Sequence, residues 1–207
     1  MSVFLGSNQI KQIYLGSNRV FKMYLGSNVI YEGVILHYHF MPKTGETDRE
    51  VYFSGGNSGS KEIISIPERV LMTTSGGIPV ECSVVATYPF GFSSLGLYGP
   101  KQIELPETLK YIDNNSFSYN DKLEKINIPT SVKIIGGNKS DPDGTLFGYS
   151  FYKCKSLTSV TFDDTSGWKI TGASITSKQL ENDLKDPVTA AAYLRQAYVD
   201  KVWTKTS

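Results

Sequence analysis

The sequence predicts a mainly β chain of the α+β class. Three observations carry that prediction: a ten-residue unit recurs at the N-terminus, a 23-residue unit of alternating apolar positions recurs in the middle, and helix-capping chemistry appears only after residue 167. The expected parts are an N-terminal antiparallel β meander, a short solenoid of stacked strands, and C-terminal capping helices. The matching boundaries are an attachment domain over 1–61, a repeat domain over 62–166 and a cap over 167–207.

The N-terminal unit is the most regular. Phe4-Leu5-Gly6-Ser7-Asn8, Tyr14-Leu15-Gly16-Ser17-Asn18 and Tyr24-Leu25-Gly26-Ser27-Asn28 follow one another at intervals of 10 residues. Gly and Asn tolerate positive φ at low cost, so Gly-Ser-Asn reads as a turn. The runs between are rich in β-branched, aromatic and long side chains. Strands of about seven residues joined by three-residue turns fit a meander. Alternation places Ile13 and Leu15 on one face, with Ile10 and Tyr14 on the other. A meander of roughly 30 residues cannot bury two apolar faces alone. The sheet therefore packs on the rest of the chain, on a copy of itself or on another protein. Phe4, Tyr14, Leu15, Tyr24 and Leu25 are the candidate docking interface.

Residues 34–40, Val-Ile-Leu-His-Tyr-His-Phe, read as a strand, and Gly55-Gly56-Asn57-Ser58-Gly59-Ser60 as a loop. His37 and His39, the two histidines of the chain, share one strand face. A metal or a Ser/His/Asp triad would have to use them. No Cys or acidic cluster stands nearby and no nucleophile motif accompanies them, so they read as ordinary strand residues.

The second repeat begins at residue 62. Glu62-Ile-Ile-Ser-Ile-Pro67, Gln102-Ile-Glu-Leu-Pro106 and Lys125-Ile-Asn-Ile-Pro129 are short alternating strands ended by proline, and Ser159-Val-Thr-Phe162 is a fourth without it. Pro106 and Pro129 are 23 residues apart, and Phe117–Leu123 and Phe151–Leu157 each span 6. Ile112 to Phe117 spans 5 residues but Ile135 to Phe151 spans 16, so 11 residues, Asn138 to Gly148, are an inserted surface loop. Its Asp141 and Asp143 are carboxylates a calcium ion could use, although its Gly and Pro content predicts a turn. Residues 62–100 form an earlier, degenerate unit carrying Phe90, Phe92 and Leu95. A period in this range with Leu and Ile at fixed offsets buries each strand only by stacking on its neighbours.

Leu105-Pro-Glu-Thr-Leu-Lys-Tyr-Ile112 with Ser116-Phe117, and Ser150-Phe-Tyr-Lys-Cys-Lys-Ser-Leu-Thr-Ser-Val-Thr-Phe162, resemble the BspA-type (treponemal) leucine-rich repeats. The resemblance covers roughly residues 62–165. It implies that Cys154 sits at the family's internal cysteine position, where the preceding copy departs with Asn120. The Tyr-Leu-Gly-Ser-Asn units resemble the start of many small proteins of tailed bacteriophages.

At the C-terminus, Gly167–Gly172 reads as a last strand and turn. Ser177 is a candidate cap for a helix bearing Leu180 and Leu184. Asp186-Pro187 starts another, with Asp at the N-cap and Pro at N1. Ala190, Ala191, Tyr193, Leu194, Ala197, Tyr198 and Val202 continue it, and Trp203 ends it. BspA-like proteins often finish in a similar pattern.

Composition narrows function. In 207 residues, 21 basic and 20 acidic side chains give a net charge of +1, which argues against a general phosphate-binding surface. A hydrophobic content of 40% with near-zero charge argues against disorder. Cys82 and Cys154 read as two buried thiols rather than a disulfide framework or zinc site. The start has no basic region ahead of an apolar run, and no stretch of about 18 apolar residues occurs, so neither an export signal nor a membrane span is expected.

No constellation carries chemistry, so the expectation is a non-enzymatic protein without cofactor or metal. The two resemblances together imply a structural component of a tailed-phage virion, at the head, tail or fibre. Made in the host cytoplasm, it would dock through its N-terminal sheet. Its partners would be other virion proteins, copies of itself, or a host-surface protein or glycan, with no nucleic acid. The alternative is a bacterial BspA-like adhesin or host-interaction module.

Overall fold

The computed structural model describes residues 35–41, 48–57, 61–89, 99–137 and 148–206, together with the backbone of short strands between residues 4 and 32. Those short strands form three separate antiparallel pairs: β1 (Phe4–Leu5) with β2 (Asn8–Gln9), β3 (Ile13–Leu15) with β4 (Asn18–Val20), and β5 (Lys22–Leu25) with β6 (Asn28–Glu32). This corrects the three-residue Gly-Ser-Asn turn expected from the sequence. Leu5 pairs with Asn8, Leu15 with Asn18 and Leu25 with Asn28, so each asparagine is a strand residue. Two residues separate the strands of each pair, the commonest hairpin spacing.

The 23-residue period builds two sheets. The smaller contains β9 (Ile63–Ser65), β12 (Gln102–Glu104), β14 (Lys125–Ile128) and β16 (Ser159–Phe162), all parallel, in the order β16-β14-β12-β9. The larger has eight strands. Along its path lie β17 (Trp168–Ile170), β18 (Trp203–Lys205), β15 (Ile134–Ile135), β13 (Tyr111–Ile112), β11 (Pro79–Thr87), β8 (Glu50–Asn57) and β7 (Ile35–Phe40), while β10 (Arg69–Thr73) pairs with β11. From β11 to β17 the chain alternates between the sheets. The large sheet is mixed: β8, β11, β13 and β15 pair in parallel, and β7, β10, β17 and β18 pair antiparallel. β8 pairs with β11 across the expected boundary at 61/62.

Register and sequence period coincide. Ile64, Ile103, Ile126 and Val160 lie in one row across the small sheet, and all are buried. Ile112, Ile135, Trp203 and Ile170 form the facing row of the large sheet, also buried. Alternation sends every second side chain of each strand into the space between the sheets, and one continuous core results. The turns after the small-sheet strands repeat: Leu109 N donates to Pro106 O at 3.0 Å and Val132 N to Pro129 O at 3.1 Å. Beyond the end of β12, the Asn127 side chain continues the ladder. Its Oδ1 accepts from Leu105 N at 2.7 Å and its Nδ2 donates to Leu105 O at 3.1 Å. In the return connections Phe117 and Phe151 stack at 5.3 Å. The ends of the 11-residue insertion meet closely: Gly136 adopts φ +83°, and a Cβ there would lie 2.9 Å from Gly148 Cα.

The C-terminal end of the stack is sealed. Trp168 and Trp203 are 1% exposed and both pack on Phe162. Helices α1 (Ser177–Asp183), with its C-cap Leu184, and α2 (Pro187–Ala192) add Leu180, Leu184, Ala190 and Ala191 to the core. Thr176, not Ser177, caps α1, its side chain accepting from Gln179 N. Asp186 caps α2 as expected, with Pro187 in the first turn. The expected helix to Val202 stops earlier. A π-helical turn at Tyr193–Ala197 ends it, and Trp203 belongs to β18, held between β15 and β17. Burying the indole in the sheet core outweighs continuing a helix that would expose it. Lys205 on β18 is also enclosed. Its side chain is 4% exposed, its Nζ lies 2.6 Å from Asp164 Oδ2 and donates to Thr130 O, and it stands over the Trp168 ring.

Candidate interaction surface

Alternation along the large sheet fixes what its outer face presents. The residues paired between the core-facing rows are His39, Tyr52, Ala86, Tyr111, Ile134, Thr204 and Lys169. Their neighbours Phe53, Ile112, Ile135, Trp203 and Ile170 point inward and are buried, so this row points outward. His39 stacks on Tyr52 at 5.5 Å, and Tyr52 stacks on the exposed Tyr88 at 4.7 Å. Burial, followed by the neighbouring Tyr88 phenol, raises the Tyr52 pKa. Tyr52 and Tyr111 flank Ala86, which they bury with Met41 and Val85.

At the ends of the strands where the chain enters this sheet, an open cleft of about 430 Å³ is lined by Asp48, Glu50, Glu107, Lys110 and Lys133 among others. The short turns place these groups. Lys110 N donates to Val85 O and Lys133 N to Lys110 O, so successive units stack their lysines. Thr108 and Ser131, one period apart, donate their hydroxyls to Val84 O and Leu109 O at 2.7 Å each. Lys110 Nζ is 3.0 Å from Glu50 Oε1. The cleft thus offers charges of both signs beside an aromatic sheet face.

The other ends of the strands carry a different feature. Asn115 and Tyr149, at equivalent positions, have φ of 55° and 59°; Tyr119 and Lys153, also equivalent, have 61° and 57°. Left-handed backbone costs a non-glycine residue about 1 kcal/mol, least for Asn. Beneath these residues the turns are closely tied. Ser116 and Ser150 both donate to Asp113 O, at 2.7 and 2.9 Å. Asn120 Nδ2 and Cys154 Sγ both donate to Phe117 O, at 2.9 and 3.0 Å. Asn120 therefore satisfies the same carbonyl that the thiol satisfies one unit later, which accounts for its place in the pattern. Burial pushes the Cys154 thiol up to about 12, and burial also raises the Cys82 thiol. Both are free and buried.

The side chains of the five sequence-predicted docking residues lie outside the described residues. Their backbone positions are known: Phe4 in β1, Tyr14 and Leu15 in β3, Tyr24 and Leu25 in β5. Phe90, Phe92, Leu95, Asp141 and Asp143 also lie outside the described residues. His37 and His39 are exposed on β7, and among the described residues no three His, Cys, Asp or Glu side chains gather where they could hold a metal ion. Among the described residues no helix is long and apolar enough to cross a membrane. Sequence reasoning did not single out the outward row of the large sheet or the left-handed Tyr and Lys positions. The row could have been found by pairing Tyr111 with Ile134 one period on.

Comparison with known proteins bears on the repeat region. Residues 79–139 match the model of the BspA type leucine rich repeat region, with 6 copies. Among solved structures, the chain is similar to a leucine-rich repeat protein from Bacteroides ovatus ATCC 8483, at 27% identity and a TM-score of 0.43, over 63% of this chain and 29% of that one. It is also similar to a leucine rich cell surface protein from Faecalibacterium prausnitzii A2-165, at 14% identity and a TM-score of 0.26, over 72% of this chain and 44% of that one. The chain thus spans less than half the length of either protein. No curated protein matches. The match falls on the segment from β11 through β15, which is thus similar to BspA-type leucine-rich repeats.

Proposed function

We propose that the chain is a non-enzymatic interaction module, a short leucine-rich-repeat solenoid that presents one face of its large sheet to a host-surface partner. Its N-terminal hairpins are the attachment to a larger assembly. The observation that carries the reading is the outward row of Tyr52, Tyr111 and Ile134 beside a cleft of mixed charge, in a region matching BspA-type repeats. Aromatic side chains, Tyr among them, are enriched in protein-binding surfaces, whose rims are polar. In this reading the module is a BspA-like adhesin or host-interaction unit.

A second reading, a structural component of a tailed-phage virion, is favoured by the three hairpins built on the Phe/Tyr-Leu-Gly-Ser-Asn units. There Phe4, Tyr14, Leu15, Tyr24 and Leu25 would dock to other virion proteins or to copies of the chain. The proteomes of purified virions and of bacterial envelopes separate the two settings. Recovery in stoichiometric amount from virions supports the second reading, and recovery only from the cell surface supports the first. Binding of the purified chain to host cells tests the shared claim. Tyr52→Ser with Tyr111→Ser should abolish it while the far-UV spectrum is unchanged, and undiminished binding would refute the proposed face.

A further inference from the structure

The long connections that leave the large sheet place three tyrosines and a lysine together, on the opposite strand ends from the cleft. Tyr119 and Tyr152 meet edge to face at 5.5 Å, and Tyr149 and Tyr152 at 5.4 Å. Lys153 Nζ lies 5.0 Å from the Tyr119 ring centroid and 5.3 Å from that of Tyr152. Tyr119 is 43% exposed and Lys153 is exposed as well. The adjacent Lys155 is paired with Asp121 at 3.6 Å, whereas Lys153 has no carboxylate partner among the described residues.

The backbone beneath makes this grouping unusual. Tyr119, Tyr149 and Lys153 are three of the four cluster members, and all three hold the left-handed conformation that glycine or asparagine would adopt with less strain. Residues held in sparsely populated backbone regions cluster at ligand-binding and other functional sites. Here those side chains converge.

We infer that Tyr119, Tyr149, Tyr152 and Lys153 form a binding site for a carboxylated saccharide. The ammonium, held over two ring faces and without a carboxylate partner among the described residues, supplies a positioned cation for the acid group. The phenols offer apolar faces for the C–H surface of a sugar ring and hydroxyls for its polar rim. Four side chains are far fewer than the roughly 20–30 per partner of a stable protein interface, which favours a small polar ligand over a folded protein. The inference rests on the repeat region being a binding module, but it concerns a site separate from the sheet face.

The test uses the full chain on an array of uronate- and sialate-terminated oligosaccharides beside their neutral, carboxyl-reduced counterparts. Binding is expected only to carboxylated members. Lys153→Gln and Tyr119→Gly should each weaken it by about tenfold or more. Tyr119→Gly should do so without lowering the unfolding midpoint, because glycine relieves the backbone, and Tyr52→Ser should leave saccharide binding unchanged. A silent array, equal binding to the neutral sugars, or binding indifferent to Lys153 and Tyr119 would overturn the inference. So would capture of a Glu-rich peptide through these residues without any saccharide binding. A silent array with host-cell binding retained through Tyr52 and Tyr111 refutes this site alone. Loss of cell binding in the wild-type chain refutes the module reading instead.

Discussion

Asn127→Ala tests whether the stack is held by ladder bonds beyond its strands. The Asn127 amide makes two hydrogen bonds to one residue of the preceding unit, at 2.7 Å to Leu105 N and 3.1 Å to Leu105 O. Leu105 is 5% exposed and the next residue is Pro106, which has no N–H to offer. Truncation leaves a buried N–H and a buried carbonyl unpaired, at about 1–3 kcal/mol each. Partial access of water to the site brings the expected loss to about 2–4 kcal/mol. Urea unfolding followed by the fluorescence of the buried Trp168 and Trp203 measures it, with an unchanged m-value confirming that the loss lies in the native state.

Asn127→Asp sharpens the test. Its carboxylate still accepts from Leu105 N but turns an oxygen toward Leu105 O, so the neutral acid is favoured and the folded-state pKa rises. A raised pKa means the stabilisation is present below the unfolded value of about 3.9 and is lost as pH rises through the folded value. The variant should therefore fall further behind wild type at pH 7 than at pH 4. A loss under about 0.5 kcal/mol for Asn127→Ala, the scale of an ordinary surface change, would show that these bonds do not hold the stack. So would a pH-independent deficit for Asn127→Asp.

The remaining predictions concern the core, the C-terminal strand and the thiols. Phe151→Ala removes a ring that is 1% exposed and stacked on Phe117, and should destabilise the fold by about 3–5 kcal/mol in urea titration. Hydrogen bonds from Lys205 and Ser166 hold the Asp164 carboxyl far below the usual carboxylate range. Its contribution is complete above the unfolded pKa of about 4 and is lost as pH falls toward the depressed value. Asp164→Asn should accordingly flatten the acid limb of the stability–pH curve and destabilise the protein near neutral pH by leaving the enclosed Lys205 ammonium without its partner. Cys82 and Cys154, buried with raised pKa, should resist iodoacetamide at pH 8 in the native protein and react together on unfolding, as counted by mass spectrometry.

The repeat core was legible because two simple signals reinforce each other. Alternation at Ile103, Ile126, Ile128 and Val160 marks strands, and the 23-residue return from Ile103 to Ile126 and from Ile112 to Ile135 sets the register that the sheets adopt. The pairing of β8 with β11 was not legible, since residues 50–57 lack the repeat motif and their partner is chosen by long-range packing of Val51 and Phe53. Trp203 misled the helix reading because Ala190 through Val202 has helical spacing. A strand slot between β15 and β17 decided the matter. In the N-terminal pairs, the Gly-Ser-Asn unit has the composition of a three-residue turn, although two residues separate the paired strands. The left-handed Tyr119, Tyr149 and Lys153 were hidden because no local propensity favours those residues there, and the turn geometry is imposed by the neighbouring unit through bonds such as Ser150 Oγ to Asp113 O.

The most direct test of the functional account compares two variants in two assays. Phe4→Ser with Tyr14→Ser and Tyr24→Ser alters the hairpins, and Tyr52→Ser with Tyr111→Ser alters the sheet face. Quantitative mass spectrometry measures incorporation into the native assembly, and flow cytometry measures binding of the purified chain to host cells. A double dissociation is expected: the hairpin variant binds cells normally but is not incorporated, and the face variant is incorporated but does not bind. Incorporation of the hairpin variant at wild-type level, or cell binding by the face variant at wild-type level, would contradict it.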